Sequence, residues 1–598
     1  MKCRIALILL VLSLGTFAVA ANTAPPQPED VFAKTIDKIT AREAENVKIF
    51  GKYSPIVETY VQGFKKDKEL GAVPVEDSYF LGRASFKSRL QDDSYISEQR
   101  PVVTRNILRQ IKEITFERRK GWVPLGFTQM TIVDRGHFDR QHYKFTFREK
   151  EFLGSVRCLV FDVVPTAKGH GMFLGRIWVE DQNYNIIRFN GSYVHPQEGS
   201  AFLHFDSWRV NVSNGEWLPA FIYSEEYDVT NDKLPVTLRG QTRLWGYASS
   251  LLNTSQEFAH AFTAIQVDPK DAVTDQADQS TPLASQEAWH REAENNYIAR
   301  LEQAGLIAPA SPLSDILDTV VNNLMVTNNL SIEPEVRCRV LLTAPLESFS
   351  IGNTIVVSRG LIDALPDEAS LAAVLAHELA HIVLAHDSDN SQFAFDDRLI
   401  VPDAQVLERL RLNRTDDEEK EADAKSMEIL QNSPYKDNLA NMGLFLKQLE
   451  ENRKVLPSLL KSRLGTSFLE ATPRMVAVQS SSPKLAPLDI HQVAALPLGS
   501  RVIIDPWSDH VEMNKARSAP VLAAREKLPF TLTPFYPYLS RNSVETPATS
   551  PTATPAPATL PSDEAQPAAR QQAKSDVEAD TVPQAEAVVG DDKEDGTK

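Results

Sequence analysis

Alternating hydrophobic and polar positions characterise the first half of the chain, after a short segment with helical spacing. Tyr143, Phe145 and Phe147 are separated by polar residues, and this period of two is typical of a strand with one buried face. Turn-forming residues lie between such runs, including the pair Asn214-Gly215, which favours a tight hairpin. The pattern predicts a helix followed by an antiparallel, β-rich domain at residues 21–265.

The long amphipathic strands that follow an N-terminal helix are similar to the half-barrel domains of lipoprotein carriers. That similarity implies a possible hydrophobic ligand held by the β-rich domain. The alternative is a plain β-sheet scaffold whose aromatic side chains form its core. The pattern of residues leaves both alternatives open.

The second half of the chain has helical periodicity. A polar segment at residues 267–285 lacks periodicity and predicts a linker, and helical spacing follows at 286–302 and 313–330. Beyond Val544 the chain has no aromatic residue and is rich in Pro and Ala, then in acidic residues, which predicts disorder. The predicted class is α+β, with a β-rich domain at 21–265, a linker at 266–300, a mainly helical domain at 301–480, a C-terminal extension at 481–543 and a disordered, acidic, Pro/Ala-rich tail at 544–598.

The first residues have the pattern of a secretory signal. Lys2 and Arg4 precede a short apolar run, and Ala18 and Ala20 follow it, so we expect a signal peptide at residues 1–20 that is removed by cleavage. No later stretch has the roughly 18 uncharged apolar residues that a membrane span needs. These features predict a periplasmic or secreted protein without a transmembrane span in its mature form.

Charge and cysteine content narrow the class of protein further. The formal net charge of -17 argues against a nucleic-acid partner, because such a surface needs clustered Lys and Arg. After cleavage only Cys158 and Cys338 remain, too few for a disulfide framework or a cysteine-rich zinc site. The two residues either form one disulfide or stay buried as free thiols.

The chemistry of the chain is concentrated on one predicted helix. Pro366-Asp367-Glu368 is a helix-start signal, and apolar residues recur after it at helical spacing. His377 and His381 are four residues apart and therefore lie on one face of this helix, where both can bind one ion. Glu378 can then act as a general base on a metal-bound water, as in zinc peptidases with a His-Glu-x-x-His motif.

A second predicted helix supplies candidates for the third ligand. It begins with a capping box at Thr415-Asp416-Asp417-Glu418. Glu419 and Asp423 share one face of this helix, so Glu419 is predicted to bind the metal while Asp423 orients a ligating histidine. Glu418 is the reserve candidate for the ligand. The expected cofactor is one Zn²⁺ per chain.

These motifs together resemble peptidase family M48, which includes the HtpX-like and CAAX-prenyl endopeptidases. The resemblance is carried by the stretch from Asp367 to His381, by His386, and by Glu419-Lys420-Glu421-Ala422-Asp423, and it covers about residues 305–480. It implies a mainly helical gluzincin-type metallopeptidase domain with a small edge sheet, and it maps the third zinc ligand onto Glu419. By the same implication, the strand at residues 354–358 is the edge along which an extended substrate binds.

The sequence departs from the family pattern at two places. Glu347-Ser348-Phe349 stands where many members have an Asn-Ala-Phe-like stretch, and the usual His-Pro with a downstream Arg is not cleanly present. The group that stabilises the oxyanion is therefore unassigned, with Arg474, His491 and His510 as candidates. His386 lies five residues after His381 and leaves the ligand face, so it is interpreted as a structural residue or a partner of a ligand.

Two functions are compatible with these features. The first is a zinc endopeptidase that cleaves protein or peptide substrates of the cell envelope, with a role in quality control. The second is a catalytically silent carrier or chaperone that binds a hydrophobic ligand or an unfolded protein through the β-rich domain. Metal content and turnover of an unfolded protein distinguish the two.

The signal peptide leads to a direct prediction. The mature protein is expected to begin at Ala21, because small residues at positions 18 and 20 fit the site that signal peptidase recognises. N-terminal sequencing of the exported protein tests this expectation. A mature chain that still begins with Met1 would contradict it.

Overall fold

The computed structural model describes residues 28–68, 70–86, 91–94, 127–134, 136–166, 171–194, 203–212, 216–226, 237–247, 282–386, 412, 414–465, 474–486, 489, 492, 498, 501–514, 517–518 and 528–541. The predicted signal peptide, the pair Asn214-Gly215, residues 266–281 of the predicted linker, His491 and the predicted tail lie outside these residues. The domain boundaries given above therefore stay predictions.

A ten-stranded antiparallel sheet occupies the N-terminal part of the described chain. Helix α1 (Pro28–Phe50) precedes it. The sheet has the strand order β3-β2-β1-β10-β9-β8-β7-β6-β5-β4. Its strands are β1 (Ile56–Asp67), β2 (Gly71–Ser85), β3 (Gln91–Ser94), β4 (Tyr143–Leu153), β5 (Val156–Pro165), β6 (Met172–Glu180), β7 (Ile186–Val194), β8 (Leu203–Asn211), β9 (Trp217–Glu226) and β10 (Thr237–Trp245). The prediction of an antiparallel β-rich domain after a helix is confirmed.

The two faces of this sheet bury different partners, because successive side chains of a strand point to opposite faces. Val57 and Val61 belong to a core that includes α1 and several buried phenylalanines, whereas Ile56 and Tyr60 belong to a core shared with the helical part of the chain. On the α1 side, Glu43 and Arg209 form a buried ion pair with an N–O distance of 2.6 Å. The aromatic side chains of the strands thus serve as core on both faces.

Helices and a small sheet form the rest of the described chain. The helices are α2 (Pro282–Gln303), α3 (Pro312–Thr327), α4 (Arg359–Ala364), α5 (Glu368–Val383), α6 (Asp416–Gln431), α7 (Ala440–Asn452), α8 (Pro457–Leu460) and α9 (Val476–Ser481), with 3-10 turns at Thr128–Thr131 and Lys436–Asn438. The remaining strands are β11 (Arg337–Leu341), β12 (Ser348–Ile351), β13 (Thr354–Ser358), β14 (Val502–Ile504), β15 (Val511–Met513), β16 (Arg517–Ser518) and β17 (Phe535–Tyr536). Helix α2 includes residues 282–300 of the segment predicted as a linker. The predicted α+β class is confirmed.

The small sheet corrects one prediction. Its strand order is β11-β13-β12, so Thr354–Ser358 is the central strand and not the edge. It pairs in parallel with β11 on one side and antiparallel with β12 on the other, so its backbone groups are used on both sides. The edge strand that packs against α5 is β12, Ser348–Ile351.

The C-terminal extension is anchored on the ten-stranded sheet. The Gln62 side chain donates to the carbonyl of Phe530 at 2.6 Å and accepts from the amide of Leu532 at 2.8 Å. Further along, the amide of Ser155 donates to the carbonyl of Leu539 at 2.8 Å. The extension is thus tied to β1 through the Gln62 side chain and to the turn between β4 and β5 through the Ser155 amide.

Cys158 and Cys338 are buried free thiols. Burial raises the pKa of Cys158 to about 12 and raises the pKa of Cys338 as well, so both stay protonated at neutral pH and are poor nucleophiles.

No helix among the described residues is long and apolar enough to cross a membrane.

A buried ion pair joins the ten-stranded sheet to the helical part. Glu58 on β1 accepts a bond from Arg359 on α4 at 2.7 Å, and Arg359 also contacts Asp363 at 3.3 Å. The other oxygen of Glu58 accepts from the amide of Ala344 and from the Tyr79 hydroxyl. The side chains of Arg359 and Glu58 are 0% and 2% exposed, so the loss of either partner leaves an uncompensated buried charge.

Substitution of this arginine tests the importance of the pair. Arg359→Met is expected to lower the free energy of unfolding by about 3–5 kcal/mol, because it removes the buried guanidinium that bonds to Glu58 and Asp363. Arg140→Met is the matched control, since Arg140 and its partner Asp37 are 48% and 55% exposed, and it should cost less than about 1 kcal/mol. Urea denaturation measures both, and equal losses would contradict a special role for the buried pair.

Candidate metal centre

Helix α5 carries the first two predicted ligands. It begins as predicted, with Asp367 as N-cap accepting a hydrogen bond from the amide of Ser370 at 2.9 Å. His377, Glu378 and His381 are each only 1% exposed. The helix is thus held on all sides, and its polar motif points into the protein and not into solvent.

Glu418 and Glu419 are adjacent in sequence, but helix α6 places their side chains in different environments. The predicted capping box is present, since Thr415 accepts from the amide of Glu418 at 3.3 Å and the Glu418 carboxylate accepts from the amide of Thr415 at 2.8 Å. Glu418 therefore caps the helix through Thr415, whereas Glu419 is buried beside His377.

The structure brings His377, His381 and Glu419 into one cluster. The Nε2 atoms of the two histidines are 3.2 Å apart. Glu419 Oε2 lies 3.1 Å from His377 Nε2, and Glu419 Oε1 lies 3.9 Å from His381 Nε2. Ligand atoms bound at about 2.0–2.1 Å to one tetrahedral ion are separated by about 3.3 Å. The spacing and the two-nitrogen, one-oxygen donor set therefore fit a catalytic zinc site, and among the described residues this is the group that could hold a metal ion.

Asp423 lies where the sequence predicts a partner of a ligand. Its Oδ1 is 3.0 Å from His377 Nδ1, the ring nitrogen that does not face Glu419. Its Oδ2 accepts from the amide of Met475 at 2.8 Å. Asp423 thereby connects His377 to the segment that carries Arg474.

The protonation states of the ligands are set by burial and by their neighbours. Burial and the adjacent His377 lower the pKa of His381 to about 2, so its imidazole is neutral, as a metal ligand must be. Burial would raise the pKa of Glu419, but the Arg474 guanidinium and His377 hold it well below its usual value. Burial and Arg474 act to lower the pKa of His377, but the neighbouring carboxylates of Asp423 and Glu419 outweigh them and raise it.

Arg474 is the oxyanion candidate that the structure places at the centre. It is 4% exposed, and its guanidinium contacts Glu378 Oε1 and Glu419 Oε2 at 3.2 Å each. His510 lies instead on the β14-β15 hairpin, where its carbonyl accepts from the amide of Asp505. His491 is outside the described residues. In the sequence, Arg474 ends the stretch Ala471-Thr472-Pro473-Arg474, which resembles the family's His-Pro with a downstream Arg only weakly.

Ser348 is a residue of the site that the sequence interpretation missed. Its hydroxyl donates to Glu378 Oε1 at 2.7 Å, the same oxygen that Arg474 contacts. The available signal was the departure Glu347-Ser348-Phe349, which places a hydroxyl where many family members have alanine. The neighbouring Glu347 has a structural role, because its carboxylate accepts from the amides of Arg463 and Leu464 at 2.8 and 3.0 Å.

His386 lies beside a ligand and not on the metal-facing side of the cluster. Its Nδ1 is 3.0 Å from Nδ1 of His381, the nitrogen opposite to the one that faces His377. This placement agrees with the interpretation of His386 as a partner of a ligand.

Comparison with known families adds an independent observation. Residues 317–395 match the model of peptidase family M48. The predicted resemblance is confirmed for this segment, which contains His377, Glu378 and His381 and ends before Glu419. The match supports a metallopeptidase. No curated protein matches the chain.

Two solved structures resemble part of the chain at low similarity. One is a putative outer membrane lipoprotein-sorting protein domain from Vibrio parahaemolyticus, with 11% identity over 35% of this chain and 91% of that chain and a TM-score of 0.20. The other is a LolA superfamily protein from Nitrosomonas europaea, with 12% identity over 36% of this chain and 98% of that chain and a TM-score of 0.19. Similarity at these TM-scores does not define the function of the ten-stranded sheet.

The two adjacent acids of α6 give a sharp test of ligand assignment. Glu419→Ala should reduce bound zinc far below the expected ratio of about one ion per chain, because it removes the carboxylate 3.1 Å from His377 Nε2. Glu418→Ala should leave the zinc content near wild type, since that side chain caps the helix. Elemental analysis of both purified variants checks this, and equal zinc content would show that the ligand is wrongly assigned.

Proposed function

We propose that this protein is a zinc-dependent endopeptidase of the cell envelope that cleaves other envelope proteins, including misfolded ones. The observation that carries the proposal is the cluster of His377, His381 and Glu419 at tetrahedral spacing, with Glu378 buried next to it. The family match over residues 317–395 supports the peptidase class. The location rests on the signal-like pattern at residues 1–20.

The arrangement assigns a role to each residue of the site. Zinc bound by His377, His381 and Glu419 would supply a water of lowered pKa and polarise the scissile carbonyl. Glu378 would then be the group that takes a proton from the attacking water and gives it to the leaving amine. Ser348 and Arg474 both bind Oε1 of Glu378, and they thereby orient the carboxylate so that Oε2 is the oxygen for proton transfer.

Arg474 is the group best placed to stabilise negative charge on the reacting carbonyl. Its guanidinium is buried and keeps its charge, because burial alone would lower its pKa but Glu419 and Glu378 raise it. A fixed cation in a site with little water is an effective partner for a developing oxyanion. Its contacts with Glu378 and Glu419 hold it there before substrate binds.

An extended substrate is expected to bind along β12. Among the described residues, the partner strand of β12 is β13, and α5 packs against β12. The opposite edge is the one that a substrate strand would use, and in the absence of substrate all four residues of β12 are buried. The Arg414 side chain donates to the carbonyl of Ser350 at 3.2 Å. A substrate amide that binds this carbonyl therefore has to displace the Arg414 side chain.

A cavity in the N-terminal part favours the carrier function as a second candidate. It has a volume of about 390 Å³, a size typical of ligand sites, and lies between α1 and strands β4 and β5. Its lining is mainly apolar, and half of the lining residues are aromatic, namely Phe32, Phe145, Phe147 and Phe161. A silent carrier would show no chelator-sensitive cleavage of an unfolded protein, whereas the proposed endopeptidase would, so one assay separates the two candidates.

The general base provides the decisive variant. Glu378→Gln should keep the metal and the fold while lowering turnover of casein by about 10² to 10⁴-fold, a loss typical of general acid-base catalysis. The histidines and Glu419 supply the coordination, and Gln is nearly isosteric, so zinc content and melting temperature should stay close to wild type.

The control is Asp417→Asn, a carboxylate-to-amide change at a side chain that is 89% exposed. Its turnover should equal that of the wild type. A Glu378→Gln protein that binds zinc and cleaves casein at the wild-type rate would show that Glu378 is not the base.

A further inference from the structure

The end of α5 turns back toward the metal centre in an unusual backbone conformation. A residue five positions after His381 would leave the ligand face of a continuing helix. Here Ala385 adopts a φ of 52°, a left-handed conformation that is uncommon for a residue other than glycine. The amide of His386 then donates to the carbonyl of His381 at 3.0 Å. This turn places the His386 ring beside the ring of His381.

His386 connects His381 to an acid on α6. The two rings have centroids 5.2 Å apart, and their Nδ1 atoms are 3.0 Å apart. On its other side, His386 Nε2 lies 3.3 Å from Oε2 of Glu421. The side chain of His386 is 8% exposed, whereas that of Glu421 is 68% exposed. The side chains of Glu421, His386 and His381 thus form a hydrogen-bonded series from the surface of α6 to a buried, predicted metal ligand.

One arrangement of hydrogens on the ring nitrogens allows both hydrogen bonds of this series to form. His381 faces the metal cluster through Nε2, so this nitrogen must be unprotonated when it binds an ion, and Nδ1 carries the hydrogen. Nδ1 of His386 is then the acceptor of that hydrogen. The remaining hydrogen of a neutral His386 lies on Nε2, which donates to Glu421.

The two ligating histidines are therefore supported in different ways. His377 Nδ1 lies directly against the carboxylate of Asp423 at 3.0 Å. His381 reaches a carboxylate only through the intervening imidazole of His386. Both carboxylates belong to α6, the helix that also carries Glu419, so α6 contributes to the position of all three predicted ligands.

We propose that His386 and Glu421 are positioning residues that fix the tautomer and ring orientation of His381 for metal binding. This inference rests on the proposed function, because it requires that His381 binds a metal ion. Neither residue contacts the metal-facing atoms of the cluster. Their effect is transmitted through Nδ1 of His381.

The test measures metal binding by the full chain and does not depend on activity. Zinc affinity is obtained by competition with a chromophoric chelator, and the absorption bands of the Co²⁺-substituted protein report the geometry of the ligands. His386→Ala should weaken zinc binding by about 10 to 100-fold, the usual effect of losing a hydrogen-bond partner of a ligating histidine, and it should alter the Co²⁺ spectrum.

Two further variants identify the hydrogen bond as the cause. His386→Asn can place an amide oxygen near the position of Nδ1, so it should recover part of the affinity that the alanine variant loses. Glu421→Gln should weaken binding by less than about tenfold, since the amide still accepts from His386 and the side chain is largely solvated. Asp417→Asn, on the exposed side of the same helix, should bind zinc as the wild type does.

The outcomes separate this inference from the proposed function. A wild-type chain that binds no zinc would overturn both. Wild-type binding of zinc, with an unchanged affinity and Co²⁺ spectrum in His386→Ala, would overturn the positioning role and leave the zinc site intact. Equal losses in the Ala and Asn variants would also overturn it, because the acceptor at the Nδ1 position would then be irrelevant. The Asn variant keeps the test valid if the alanine variant does not fold.

Discussion

Two carboxylates and two imidazoles are packed together at the centre of this protein with almost no exposure to solvent. Glu378 and Glu419 are 1% and 3% exposed, and buried carboxylates without a compensating charge are strongly unfavourable. Arg474 supplies that charge, because its guanidinium contacts both acids. The buried arginine places a positive charge between the two acids and lowers the pKa of Glu419, and the chemistry proposed for the site depends on this contact.

The same demand for charge compensation links the site to the ten-stranded sheet. Glu58 on β1 binds Arg359 on α4 and the amide of Ala344. Helix α4 directly follows β13, and β13 pairs with the edge strand β12 that carries Ser348. An ion pair, a helix and a strand pairing therefore connect β1 of the ten-stranded sheet to Ser348, whose hydroxyl binds Glu378. The sheet is thus connected to the strand that carries Ser348.

Side chains from several helices and segments orient the predicted metal ligands. Helix α5 provides the two imidazoles, α6 provides Glu419, Asp423 and Glu421, and the segment before α9 provides Arg474. Side chains that are held on both sides keep their geometry before an ion or a substrate arrives, which is the condition for efficient electrostatic catalysis. The cost is a set of polar groups that must all be satisfied at once, so a single substitution here can disturb several contacts.

Local signals in the sequence determined the parts of this protein that depend on near neighbours in the chain. The N-cap at Asp367, the capping box at Thr415 and the four-residue spacing of His377 and His381 involve groups within one helical turn, so the sequence alone predicts them. The antiparallel character of the first domain also followed from a period of two in its hydrophobic residues.

Only the tertiary structure decided which distant residues meet. The strand at 354–358 was expected at an edge, but pairing with β11 and β12 makes it central, and strand order is a long-range property that a local pattern does not encode. Ser348, Arg474 and His386 reach the centre through a sheet edge, a distant segment and a left-handed turn at Ala385. The motif residues were identified from spacing, whereas the groups that orient and compensate them are defined by packing between elements.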